Sequence, residues 1–174
     1  MIHPELKKNY VKQSDKINGL KETVEVQANK NQLDDNLVHP KLSMITGDQF
    51  IANPQFQEEV FGPFSLVVKC KDLQELEQVI NHLEGQLTGS IFAQADDYEL
   101  IKPLIQAFKS KVGRLLFNDV PTGVEVSSAM THGGPYPAAS DSRFTAVGPG
   151  SIYRWVRPIT YQNWPKELLE KLMN

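Results

Sequence analysis

The sequence predicts an α/β fold built on a parallel sheet. Three observations carry that reading. Between Pro63 and Asn118 the segments alternate strand, helix, strand, helix, strand, the order that a parallel sheet with crossover helices produces. The strand segments are short and apolar, whereas the segments between them repeat apolar residues at helical spacing. The chain has 174 residues, 40% hydrophobic and 22% charged, which is the size and composition of one ordinary globular domain.

The elements follow in order. Pro4 stands near a helix start, and Leu6, Tyr10 and Ile17 recur at helical spacing up to a stop at Gly19. Residues 23–28 alternate polar and apolar and read as a strand, followed by a polar loop at 29–36. Two short apolar pieces, 42–45 and 49–51, are separated by Gly47-Asp48, a turn signal. Phe64 to Cys70 is largely apolar and reads as a strand buried on both faces. Asp72 caps a helix whose stripe is Leu73, Leu76, Val79, Ile80 and Leu83. A strand at Leu87–Ala93 comes next. Asp96 then caps a second helix with Leu100, Ile101, Leu104, Ile105 and Phe108, in which Pro103 introduces a kink. Val112 to Asn118 is a third strand. Residues 121–150 are rich in Gly, Pro, Ser and Thr, a structureless length that is usually functional or disordered. Ser151–Tyr161 reads as a short helix running into a strand, and Pro165 opens a last helix with Leu168, Leu169 and Leu172.

Composition narrows the function classes. No run of about 18 apolar residues exists, which excludes a transmembrane helix, and the first residues lack the basic and apolar regions of a secretory signal. One cysteine rules out an internal disulfide framework and suits a reducing, cytoplasmic setting. A net charge of −3 argues against a general nucleic-acid binder. The four histidines are scattered and match no metal-ligand spacing, so no metal is expected.

Several residues invite chemistry. Glu58-Glu59-Val60-Phe61-Gly62-Pro63 places two acids and an aromatic directly before a strand, where α/β folds often carry binding groups. Taken locally, it reads as a solvated acidic turn with Phe61 packed into the core. Cys70 lies in an apolar strand between Lys69 and Lys71, which suits a buried structural thiol better than a nucleophile. His132-Gly133-Gly134-Pro135 permits close backbone approach beside a possible proton shuttle, yet each piece alone reads as a structural loop. Arg143, Arg154 and Arg157 either bind an anion or make ion pairs. Tyr153, Trp155, Tyr161 and Trp164 belong either to a core or to a strand that joins a partner's sheet.

In combination the pieces are far more specific. Glu58–Pro63, Asn81 at a helix end, Leu87-Thr88-Gly89-Ser90-Ile91-Phe92, and Gly113-Arg114-Leu115-Leu116-Phe117-Asn118 resemble the C-terminal part of an aldehyde dehydrogenase. The likeness runs from about Val24 onward, with the first twenty residues similar to the helix after the family's catalytic-cysteine strand. Val120–Val126, His132–Pro137 and Asp141–Gly148 are similar to the branch of ketoglutarate semialdehyde and NADP-dependent fatty aldehyde dehydrogenases.

The resemblance implies a fold and a division of labour. Residues 1–150 would be part of the catalytic domain, and 151–174 an oligomerisation strand and C-terminal helix. Glu59 would accept hydrogen bonds from the nicotinamide ribose hydroxyls of NAD or NADP, and Phe61 would pack beside the nicotinamide. The loop holding Val124, Glu125, Val126 and Ser127 would line the tunnel for an aldehyde substrate. Trp155 to Tyr161 would extend a neighbouring subunit's sheet in a homo-oligomer. Family chemistry also needs a nucleophilic cysteine in a Gly-Gln-x-Cys context upstream of the Glu-Glu-x-Phe-Gly-Pro motif, together with a base glutamate and an oxyanion asparagine. None is present, since Cys70 falls after that motif. The expectation is therefore a piece of an NAD(P)-dependent aldehyde dehydrogenase with no catalytic residue of its own. Alone it would be inactive, with weak or no cofactor binding. The alternative is a non-catalytic module that self-associates.

Overall fold

The computed structural model describes residues 3–20, 24–27 and 37–173. Helix α1 (Pro4–Asn18) begins where the His3 ring nitrogen Nδ1 accepts from the Glu5 N–H, and ends where the Gly19 N–H donates to the Asp15 carbonyl. Its inward face is Tyr10, Ser14 and Ile17, which keeps two of the three apolar positions read from the spacing and leaves Leu6 half-buried. Strand β1 (Val24–Gln27) lies within the stretch read as a strand. Thr23, Ala28 and the loop expected at 29–36 lie outside the described residues.

Strand β2 (Lys41–Thr46) runs directly into helix α2 (Gly47–Ala52). The Gly47-Asp48 pair is therefore the first turn of a helix and not the turn expected. Thr46 closes a capping box with Gln49, each side chain bonded to the other's backbone N–H, and this reciprocal cap outweighs the local turn preference. A 3-10 turn at Pro54–Gln57 leads through the acidic segment to strand β3 (Phe64–Lys69). Helix α3 (Leu73–His82) starts at the Asp72 cap, whose Oδ1 accepts from the Glu75 N–H at 2.8 Å. Strand β4 (Gln86–Ile91), helix α4 (Lys102–Lys109) and strand β5 (Val112–Phe117) complete the alternation.

Two readings around α4 are corrected. The residues before it form a separate 3-10 turn, Ala95–Asp97, closed by Asp97 accepting from the Gln94 N–H, so Asp96 caps nothing. Pro103 stands in the first turn of α4, where the missing N–H has no intrahelical partner to lose, and no kink results.

The strands form two sheets among the described residues, not one. Order β1-β2-β3 makes the first, in which β1 pairs antiparallel with β2 and β2 pairs parallel with β3; β4 and β5 pair in parallel as the second. Hydrophobic periodicity identifies elements but not their neighbours, which backbone pairing decides. Strand β3 also alternates in burial, with Ser65, Val67 and Lys69 exposed, so only one face is covered.

Helix α3 joins the two sheets. Its Val79 packs with Ile17, Ile45, Phe50 and Phe56, while the adjacent Ile80 packs with Ile91, Ile101, Leu104 and Ala107. Each of the Val, Ile, Leu and Phe side chains among them contributes about 1.5–3 kcal/mol through burial. Helix α1 is fastened to β2 by polar contacts, Lys41 to Asp15 at 2.6 Å and the Ser43 hydroxyl to Asn18 at 2.5 Å.

Residues 119–148 hold no helix or strand, as their composition implies. They are nonetheless packed on the second sheet. The Gly85 N–H donates to the Tyr136 carbonyl at 3.1 Å, and a Cβ at Gly113 would run into the Gly133 carbonyl. A 3-10 turn at Pro149–Arg154 stands where the short helix was expected, but the stretch up to Tyr161 is exposed and pairs with no strand among the described residues, so it does not form the strand expected; helix α5 (Lys166–Met173) ends the chain's described part. No helix of the described residues is long and apolar enough to cross a membrane.

Candidate functional site

The segment from Glu58 to Pro63 connects the first 3-10 turn to β3, and each residue is held differently. Phe56, buried in the first core cluster, anchors the approach. The Glu58 carboxylate takes the Lys16 ammonium at 2.6 Å. Glu59 makes no hydrogen bond or ion pair with any described residue. Val60 turns back onto the core, which sends Phe61 outward. Phe61 is 64% exposed, so the local reading that packed it into the core is corrected. The reversal happens at Gly62, whose φ of +147° is open to glycine and strained for other residues.

Glu59 stands between two openings. The larger, about 640 Å³, is lined by Glu58, Glu59, Glu84, Gln86, Thr88 and Pro137. The smaller, about 310 Å³, is rimmed by Glu59 and Phe61 against Asn9, Tyr10 and Gln13 of α1. An unpaired carboxylate beside an exposed aromatic face has a definite chemistry: it accepts from neighbouring hydroxyls while a planar ring lies against the aromatic. Three carboxylates surround the larger cavity and Lys16 neutralises one, so cations and hydroxyl donors are favoured there over anions.

The loop from Val124 to Ser127 is placed elsewhere. Neither cavity bordered by Glu59 includes any of these four residues. Val126 is 81% exposed, Glu125 is exposed and Ser127 is half-buried. The loop is steadied from β5, where Arg114 donates to the Gly123 carbonyl at 2.7 Å.

Other candidates resolve differently. Cys70 stands just past the end of β3, half-buried. Burial first, then the Glu75 and Asp72 carboxylates, push its thiol pKa up, the reverse of what a nucleophile needs. Arg143 is engaged with Asp141 at 2.6 Å, and its hydrogen bonds hold the Asp141 carboxyl down to about 2. His132, Asp141, Phe144, Thr145 and Arg154 line a further cavity of about 540 Å³. Within it the His132 Nδ1 is buried without a hydrogen-bond partner among the described residues. No cluster of three or more His, Cys, Asp or Glu suited to a metal occurs among the described residues.

Sequence reasoning missed Tyr10, Glu84 and Thr88 as residues near Glu59. Tyr10 was visible only as part of an apolar stripe, and nothing local marks a stripe residue as the neighbour of a turn fifty residues away.

Comparisons with known proteins agree on one family. A sequence model described as "Aldehyde dehydrogenase family" matches residues 5–136. Alpha-ketoglutaric semialdehyde dehydrogenase 2 of Azospirillum brasilense is 51% identical over 120 residues, 69% of this chain and 23% of that protein. Alpha-ketoglutaric semialdehyde dehydrogenase of Acinetobacter baylyi is 50% identical over 121 residues, 70% of this chain and 23% of that protein. The chain thus spans about a quarter of the length of these curated relatives. Among solved structures, the Delta-pyrroline-5-carboxylate dehydrogenase of Mycobacterium tuberculosis superimposes with a TM-score of 0.67 at 21% identity, covering 95% of this chain and 31% of that one. The methylmalonate-semialdehyde dehydrogenase of Oceanimonas doudoroffii gives 0.65 at 20% identity, covering 96% and 33%. At these identities the structural likeness speaks for the fold.

Proposed function

The chain belongs to the aldehyde dehydrogenase family, and from that premise we propose that it supplies the nicotinamide-ribose contacts and part of the substrate passage of an NAD(P)-dependent semialdehyde dehydrogenase. The observation that carries this reading is the contrast between two adjacent carboxylates. Glu58 is committed to Lys16, whereas Glu59 is unpaired among the described residues and stands beside the outward ring of Phe61. An acceptor beside an aromatic face fits a ribose carrying a flat ring.

Bound NAD or NADP supplies the hydride acceptor for oxidation of an aldehyde to a carboxylic acid. Glu59 accepts from the ribose hydroxyls and fixes the sugar, and Phe61 limits where the ring can lie, which favours a reactive geometry. The loop holding Val124, Glu125, Val126 and Ser127 borders the aldehyde's approach. The nucleophile, base and dinucleotide fold are not among these 174 residues, so this chain alone turns over no aldehyde. A single thiol with a raised pKa suits a reducing cytoplasm and no catalytic duty.

Saturation-transfer NMR at millimolar NAD and NADP tests the cofactor contact. Weak enhancement should fall on the nicotinamide-ribose protons and vanish in Glu59→Gln. Enhancement on the adenine end, untouched by that substitution, overturns the assignment.

A second reading is favoured by one observation. Trp155 is 81% exposed, and Ile152, Val156 and Ile159 are exposed beside it, a row of apolar side chains with nothing on it. We propose that residues 155–161 extend the sheet of a second copy. Light scattering should show a dimer or larger species that Trp155→Asp and Ile159→Asp dissociate; a monomer at all concentrations contradicts it.

A further inference from the structure

Helix α1 contacts the acidic turn at both ends. Its Lys16 holds Glu58 at one end. At the other, Tyr10 is buried to 1% exposure, and its hydroxyl donates to the His39 carbonyl at 2.7 Å with the Pro63 carbonyl also in reach at 3.2 Å. Pro63 O accepts in turn from the Lys41 N–H at 2.9 Å, so the phenol sits where the starts of β2 and β3 meet. The ring itself lies against Gly62: a Cβ there would come within 2.5 Å of Tyr10 Cδ2. Between the two contacts stand Glu59 and Phe61, and they share an opening with Asn9, Tyr10 and Gln13.

We propose that Tyr10 is a positioning residue for cofactor binding, acting with Lys16 to set the direction in which Glu59 and Phe61 face the nicotinamide riboside. The proposal rests on the assignment of Glu59 and Phe61 made above. The physical reason is that of Glu59, Val60 and Phe61 only Val60 packs on the core, so the free carboxylate and the outward aromatic on either side of it have no packing of their own to fix them. Phe61 buries little, and Gly62 permits many backbone conformations. Beyond Val60, what holds the turn is what touches its ends. A hydroxyl donor buried at the strand starts does this without occupying the space in front of Glu59. A phenylalanine would keep the ring against Gly62 but take the hydroxyl donor from the His39 carbonyl and leave the Pro63 carbonyl to the Lys41 N–H alone.

The test places 4-fluorophenylalanine at position 61 and reads its fluorine resonance while NAD or NADP is titrated. The parent should give one sharp resonance that moves with dinucleotide. Tyr10→Phe should broaden or shift that resonance toward its unfolded position, leave the amide spectrum of α3, α4 and the second sheet unchanged, and weaken dinucleotide binding about fivefold, the loss expected for one hydrogen bond. Its loss of saturation transfer should fall on the nicotinamide-ribose protons and spare the adenine protons. Lys16→Met, which leaves Tyr10 in place, should shift the same resonance by releasing Glu58, and it keeps the test open should Tyr10→Phe fail to fold. A fluorine resonance unchanged in the folded Tyr10→Phe variant overturns the positioning role, or unchanged in Lys16→Met if that variant alone folds. A parent resonance that ignores both dinucleotides, with turn effects intact in the variants, overturns the cofactor assignment instead.

Discussion

Arg114 in β5 donates from its guanidinium to the Gly123 carbonyl at 2.7 Å, and the same nitrogen lies 3.9 Å from the Met130 sulfur. One side chain from a regular strand therefore touches both ends of the irregular loop that holds Val124 to Ser127. Loops without a ladder depend on such contacts, because their own backbone groups face water.

Arg114→Met should loosen that loop without unfolding the sheet. A hydrogen bond from a charged donor contributes about 1.5–3 kcal/mol, so exchange of the Met130 amide, which donates to Ser127 at 3.2 Å, should quicken at least about tenfold. Amides of β4 and β5 should be unaffected. Unchanged Met130 exchange contradicts the brace.

Gly62→Ala should cost about 3 kcal/mol in urea unfolding, from the positive φ and the collision with the Tyr10 ring together. The same substitution in a Tyr10→Ala background should cost less, because only the backbone strain remains. Equal costs in both backgrounds would show that the two residues do not interact.

The Cys70 thiol should be alkylated more slowly by iodoacetamide at neutral pH than the same thiol in the urea-unfolded chain. Burial and two nearby carboxylates raise its pKa in the folded state. The unfolded state releases this proton first, so the thiol's contribution to stability is present at neutral pH and is lost as pH rises through the folded-state value. Alkylation as fast folded as unfolded contradicts this environment.

Asp141 should titrate at about 2, held down chiefly by hydrogen bonds from Arg143. Because its folded value is depressed, the pair is intact at neutral pH and is lost only as pH falls through about 2. Carboxyl-carbon NMR reads the midpoint directly. Arg143→Gln should return it to the ordinary range, and an ordinary midpoint in the parent contradicts the pairing.

Much of the fold was legible because its signals are local. The apolar stripe and the Asp72 cap place α3 and its buried Val79 and Ile80, since helix periodicity and capping are properties of neighbouring residues, though Leu73 is exposed and Glu75 is buried. The division into two sheets was not legible, because Val79 and Ile80 read alike in sequence yet pack into different clusters. Gly47-Asp48 misled because the decisive signal was the Thr46–Gln49 reciprocal cap on either side of it. The position of Glu59 and Phe61 in the chain could be read from the motif. The exposure of Glu59 was legible as well, in the reading of a solvated acidic turn; that of Phe61 was not, since it follows from Val60 turning inward. Arg114 reads in the sequence only as part of a strand; its contact with Gly123 depends on how residues 119–148 fold back, which composition does not encode.

On the proposed function, these residues carry contacts for cofactor and substrate but not the chemistry itself. The direct measurement is NAD(P)H formation by this chain alone with short and long aldehydes and semialdehydes, in parallel with Cys70→Ala. Neither protein should form any. NAD(P)H formation that survives Cys70→Ala would contradict that reading outright, because catalysis would then proceed in these 174 residues with no thiol at all.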